Sequence, residues 1–150
     1  MTETPTLSVR NLRIEFPTRR GTLVAVDDVS FDIAPGEVLG IVGESGAGKS
    51  LTGTAIIGLL EPPGRIAGGE IRLNGQRIDN LAREAIRPIR GKRIGMVFQD
   101  PLTSLNPLYR IGDQIIETIR THLPMSEREA RARAIDLLTE VGIQGAERRI

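Results

Sequence analysis

The chain has 150 residues, of which 20 are Lys or Arg and 19 are Asp or Glu, for a formal net charge of +1. That balance argues against a strongly basic nucleic-acid binder and against an acidic solvating tail. Apolar residues make up 39%, which with this length fits one soluble globular domain with a real core. The absence of cysteine excludes disulfide frameworks, thiolate zinc sites and cysteine nucleophiles, and the single histidine, His122, excludes a multi-histidine metal centre. Four aromatics, Phe16, Phe31, Phe98 and Tyr109, are too few for the stacking platforms that bind single-stranded nucleic acid. Met1 to Arg10 has no apolar core of a secretory signal, and no window reaches the roughly 18–20 apolar residues of a membrane span. These features predict a cytosolic protein that reaches a membrane only through a partner.

The first third reads as antiparallel, half-buried strands. Leu7 and Val9 alternate, then Leu12, Ile14 and Phe16 alternate in the opposite phase, and the slip at Arg10-Asn11 predicts a bulge. Pro17 to Gly21 reads as a basic turn, Val24 to Ile33 as a second alternating stretch, and Pro35-Gly36 as another turn. The pattern then changes. Val38-Leu39-Gly40-Ile41-Val42 is a continuous apolar run, the mark of a strand buried on both faces of a parallel sheet. A glycine-rich turn follows, and Lys49 to Leu60 is expected to be a buried helix stopped by Pro62-Pro63. Ile71 and Leu73 lead into Asn74-Gly75, a strong hairpin signal. Leu81 to Arg90 predicts a short charged helix, and Ile94 to Phe98 a second buried strand. The last third is helical. Ile111, Ile115, Ile116, Ile119 and Leu123 share one face, and Ser126-x-x-Glu129 opens a further helix expected to bury Ile135, Leu138 and Val141.

The chemistry concentrates in Gly43-Glu44-Ser45-Gly46-Ala47-Gly48-Lys49-Ser50, which matches G-x-x-x-x-G-K-[ST]. Glycines let the backbone fold into a nest whose N–H groups point at phosphate oxygens. The following helix aims its positive dipole end at the same anion. Lys49 is expected to reach the β- and γ-phosphates and the Ser50 hydroxyl to ligate Mg²⁺.

With this loop, Pro35-Gly36-Glu37 ahead of the first buried run and Phe98-Gln99-Asp100-Pro101 after the second, the chain resembles the ATP-binding subunit of an ABC transporter. The stretch Gln99-Asp100-Pro101-Leu102-Thr103-Ser104-Leu105-Asn106-Pro107 is similar to the oligopeptide, dipeptide and nickel importer branch, as are Gly43-Glu44-Ser45-Gly46 and Ile111-Gly112-Asp113-Gln114-Ile115. The resemblance implies an α/β fold: a P-loop NTPase of ABC type, with an N-terminal antiparallel β-subdomain, part of the parallel-sheet core and the start of the helical subdomain. It implies an ATP site formed by Phe16, Gly43, Glu44, Ser45, Gly46, Ala47, Gly48, Lys49, Ser50 and Leu51, with Phe16 either against adenine or simply in the core. Gln99 would be the catalytic Q-loop glutamine, a contact of Mg²⁺ together with Ser50, and Leu102 to Pro107 would face the permease. Ile94 to Asp100 superficially resembles a strand ending in a metal-binding Asp, but Gln-Asp-Pro fits the Q-loop, and the resemblance puts that acidic strand further along.

The implied cofactors are ATP and Mg²⁺. The implied partners are membrane permease subunits, a second ATP-binding subunit in a homo- or heterodimer and, indirectly, a solute-binding protein, with no nucleic acid, at the cytoplasmic face of the membrane. Peptides lead as the solute, with nickel and glutathione open. The sequence has no Leu-Ser-Gly-Gly signature and no apolar run ending in Asp-Glu, and His122 reads as a helix-end residue. Residues 1–150 are therefore expected to be the N-terminal part of one nucleotide-binding domain, inactive alone. A nucleotide-binding fragment without turnover and another P-loop NTPase are the alternatives.

Overall fold

A computed structural model describes residues 4–100 and 104–150, and the expectations that fall on Pro101, Leu102 and Thr103 lie outside the described residues. The chain divides into two compact units, residues 1–96 and residues 97–150.

The first unit is built on four antiparallel strands in the spatial order β2-β1-β3-β4. These are β1 (Leu7–Thr18), β2 (Gly21–Ile33), β3 (Arg65–Leu73) and β4 (Gln76–Arg77). The slip at Arg10-Asn11 is a bulge: Asn11 is left-handed at φ 46, and the register of β1 shifts between Val9 and Leu12. The extra residue keeps Leu7, Val9, Leu12 and Ile14 on one buried face despite their change of phase. The neighbours accommodate it. On β2, Asp28 is left-handed at φ 55 and its carboxylate accepts a 2.6 Å hydrogen bond from the Asn11 amide. On β3, Gly69 adopts φ +87, where a Cβ would lie 2.5 Å from the Asn11 carbonyl oxygen.

Asn74 (φ 49) and Gly75 (φ 79) make the two-residue turn between β3 and β4, a conformation that needs positive φ at both positions. The β1–β2 turn is tighter than the basic loop expected, because Thr18 pairs with Gly21 and only Arg19 and Arg20 lie between. Helix α1 (Lys49–Ile56) ends four residues before Leu60. Gly58, left-handed at φ +67, turns the chain there, and Arg90 donates to the carbonyls of Ile57 and Gly58 that the helix end leaves open. Arg90, expected as the end of a short charged helix, thus acts as a cap for α1. Helix α2 shrinks to a single turn, Arg83–Ile86.

The two expected parallel strands are the main departure. Residues 38–42 and 95–98 carry no strand pairing, Val38 and Val42 are 95% and 94% exposed, and the parallel pairing among the described residues is the single bridge Arg90–Ile94. A continuous apolar strand is buried only when ladder neighbours and helices cover it, and no described strand pairs with either segment.

The second unit has helices α3 (Ile111–His122), α4 (Glu127–Glu140) and α5 (Ala146–Arg149). The expected capping box forms, with Ser126 Oγ accepting from Glu129 N and the Glu129 carboxylate accepting from Ser126 N. Ile116 and Ile119 are buried as expected, but α4 buries Ala130 and Ala134. Ile135 and Leu138 are half-buried and Val141 is exposed. Small residues at an i, i+4 pair let the two helices approach closely, so the larger side chains flank the contact.

Arginine–carboxylate pairs line the sheet: Arg10–Asp32, Arg13–Glu15, Arg65–Glu15, Arg72–Glu70 and Arg77–Asp79. Hydrogen bonds from Arg13, Arg10 and Arg72 hold the carboxyls of Glu15, Asp32 and Glu70 below the ordinary range. At Asp79 burial pushes the other way, but Arg77 and the Ile71 N–H outweigh it. Lowered folded values stabilise the protein fully above the unfolded values, and that stabilisation is lost as pH falls through the folded ones. Urea midpoints are therefore expected to stay level from about pH 8 to about pH 5 and to fall steadily below about pH 4. A second expectation follows from the bulge. Gly69→Ala forces a Cβ onto the β1 backbone in a left-handed conformation, and should cost about 3 kcal/mol in urea denaturation by the sum of those two penalties.

Candidate functional site: a phosphate-binding loop

The loop of residues 43–48 enters α1 through Gly48, which serves as N-cap at φ 83 with no side-chain cap. Gly46 is also left-handed, at φ 84. Two left-handed glycines with one residue between them turn successive N–H groups toward a common concavity. The first helical hydrogen bond runs from Thr52 N to the Gly48 carbonyl at 2.8 Å, so the N–H groups of Lys49, Ser50 and Leu51 have no intrahelical acceptor. No acidic residue occupies the first turn of α1 to compete for them. The loop mouth thus presents the positive end of a helix of eight residues and a free set of donors.

The side chains divide by task. Lys49 Nζ donates at 2.7 Å to each of the Gly43 and Glu44 carbonyls and so spans the loop from the helix start to its entry. Ser50 is exposed in the first turn of α1. Leu51 packs its side chain against the sheet core, which leaves only its N–H for a ligand. Thr52, buried, adds a 3.0 Å hydroxyl bond to the Gly48 carbonyl and fixes the start of the helix. Glu44, Ser45, Gly46 and Ala47 form the exposed rim.

The loop is seated on the sheet at one point. A Cβ on Gly48 would lie 2.8 Å from Val26 Cγ2 and 2.9 Å from the Ala25 carbonyl oxygen. Val26 pairs with Ile14, and Leu23 with Phe16. Phe16 therefore lies two to three residues along the ladder, roughly 7–10 Å at strand rise, from the seat of the loop. Its ring is half-buried, touching the core and the backbone at Gly64, where a Cβ would come within 2.7 Å of it. Gln99 is exposed and belongs to the second unit. His122 is the last residue of α3, at the helix end as expected. Thr52 and Val26 were missed as supports of the loop. The period-two pattern marked Val26 as inward-facing, but nothing local showed what it would meet.

A donor-lined, glycine-built loop at a helix N-terminus, followed by Lys-Ser, defines the P-loop nucleotide-binding class. The sequence pattern of the ABC transporter family matches residues 26–150. A Brucella abortus protein provisionally named a peptide import ATP-binding protein is 49% identical over 97% of this chain and 44% of its own length. A Brucella melitensis protein with the same provisional name is 50% identical over 99% of this chain and 46% of its own. The chain thus spans less than half the length of these relatives. Among solved structures, the dimeric post-hydrolysis state of the ATP-binding cassette MJ0796 bound to ADP and Pi is similar over 89% of this chain and 56% of that one, at 27% identity and a TM-score of 0.76. This chain belongs to the ABC transporter family.

The two glycines carry different loads, and substitution separates them. Gly46→Ala meets no atom within 4 Å and should cost only the left-handed penalty of about 1–2 kcal/mol. Gly48→Ala adds the clash with Val26 and the Ala25 carbonyl and should cost about 2 kcal/mol more. Urea denaturation of the two variants side by side checks the order.

Proposed function

We propose that this chain is the nucleotide-binding part of an ATPase subunit that energises an importer, with peptides as the solute. The observation that carries the proposal is the loop of residues 43–50, in which two left-handed glycines, the uncapped start of α1 and the Lys49 ammonium converge on one concavity. A polyphosphate is the ligand that such a donor set fits. The donors also suit Mg²⁺-ATP: Lys49 would exchange its two carbonyl acceptors for phosphate oxygens, and the exposed Ser50 hydroxyl is the metal ligand available at the loop. Phe16, on β1 beside the strand that seats the loop, is the aromatic available to the base. Gln99 is the residue proposed to join Ser50 at the metal and to position the attacking water.

The peptide assignment draws on the provisional names of the Brucella relatives. The second ATP-binding subunit draws on the dimeric state of the MJ0796 structures. No helix among the described residues is long and apolar enough to cross a membrane. We assign transport across the bilayer to separate permease subunits on the family membership, with this protein at their cytoplasmic face and a solute-binding protein acting through them. The loop after Gln99, with the exposed side chains of Leu105, Leu108 and Tyr109, is proposed to meet the permease. Residues 1–150 contain no apolar run ending in Asp-Glu to polarise water, so this segment by itself is proposed to bind nucleotide without turnover.

The test is Lys49→Ala in the intact protein, titrated with a fluorescent ATP analogue and Mg²⁺. Loss of one charge-assisted anchor should weaken binding about 10- to 100-fold. Unchanged affinity would remove the loop as the nucleotide site.

A further inference from the structure

Gln114 lies one turn into α3, and its side chain turns back onto the loop that precedes the helix. Its Oε1 accepts a 2.9 Å hydrogen bond from the Asn106 N–H. Its Nε2 donates to the Asn106 carbonyl at 2.9 Å and to the Tyr109 carbonyl at 3.1 Å. One amide thus makes three bonds to loop backbone. The orientation is fixed by the partners, since a flipped amide would set its oxygen against two carbonyls. Inside the clamp the loop braces itself: Asn106 Oδ1 accepts from Leu108 N at 3.0 Å, and the Asn106 carbonyl accepts from Tyr109 N at 3.2 Å. Pro107, with no N–H, leaves no competing donor at the apex. The turn holds Leu108 88% exposed and Tyr109 64% exposed, with Leu105 also at the surface. Large apolar side chains displayed on a loop cost solvation, and a backbone held this firmly keeps them from folding inward.

We infer that Gln114 is a positioning residue, which holds residues 106–109 in the shape that presents Leu105, Leu108 and Tyr109 to the permease. This rests on the proposed role of that loop and adds the group that sets its shape. Gln114 acts wholly through the backbone of Asn106 and Tyr109.

The experiment uses the intact protein with Gln114→Leu, which removes all three bonds at similar volume, and Gln114→Glu, which keeps an acceptor for Asn106 N and loses both donors. Hydrogen exchange is read amide by amide, and phosphate release is read with and without the permease. The Asn106, Leu108 and Tyr109 amides should exchange about five- to tenfold faster in Gln114→Leu, with a smaller rise at Asn106 in Gln114→Glu, while α4 amides hold their wild-type rates. Permease-stimulated phosphate release should fall in the same order, with ATP affinity and unstimulated release unchanged. Wild-type exchange at Asn106 in Gln114→Leu would overturn the clamp, and wild-type stimulation despite faster exchange would overturn its positioning role. Exchange is measured without nucleotide or permease, so it judges the clamp even where the Lys49 titration fails. If Gln114→Leu does not fold, the graded response of Gln114→Glu decides.

Discussion

One extra residue in β1 governs the first unit. Without the bulge at Arg10-Asn11, the period of two would send either Leu7 and Val9 or Leu12 and Ile14 to solvent, and all four are buried. The bulge is a line across three strands. Asn11 and Asp28 both go left-handed and bond to each other, and Gly69 supplies the open backbone that the third strand needs at that level. Burial of Ile14 carries its ladder partner Val26 inward with it. Val26 is the side chain on which Gly48 rests. The chain of dependence thus runs from an asparagine in a strand to the glycine that caps the phosphate loop. The apolar patterning of β1 constrains the site as firmly as the loop's own glycines do.

The loop itself combines permissive and obligatory parts. Gly46 faces open space and needs only its left-handed backbone. Gly48 needs both the backbone and the missing side chain, because the sheet lies against it. Thr52 and Leu51 pull the helix onto the core from below, by a buried hydroxyl bond and by packing. Lys49 ties the loop from above. The concavity is therefore held from below by side chains that are not themselves donors to a phosphate, while Lys49 holds the loop closed until an anion replaces its two carbonyl acceptors; the N–H set is aimed before the anion arrives, and little ordering remains to offset binding. Residues 38–42 contribute nothing to this seat through strand pairing. The loop takes its shape from its glycines and from β2.

Legibility in the sequence followed the range of the interaction. The bulge at Asn11, the Asn74-Gly75 turn and the Ser126–Glu129 box depend on residues a few positions apart, and each was readable. The equivalent bulge at Asp28 was equally local, since Val26 and Val29 are three apart and cannot share a strand face without one, and it was overlooked in a stretch read as simple alternation. The octapeptide 43–50 was legible because backbone chemistry alone dictates it. The failures share the opposite property. Val38 to Val42 is a strand only in company, so its apolarity reported a capacity for burial and not burial itself. The α3–α4 contact chose Ala130 and Ala134 over larger neighbours because helix separation, set by both helices together, decides which residues are enclosed. Gln114 is the sharpest case. As one polar letter in an amphipathic helix it reads as solvent-facing. Its meaning comes from an Asn-Pro turn that places two carbonyls and an N–H within reach of its amide, and only the folded chain brings those three groups together.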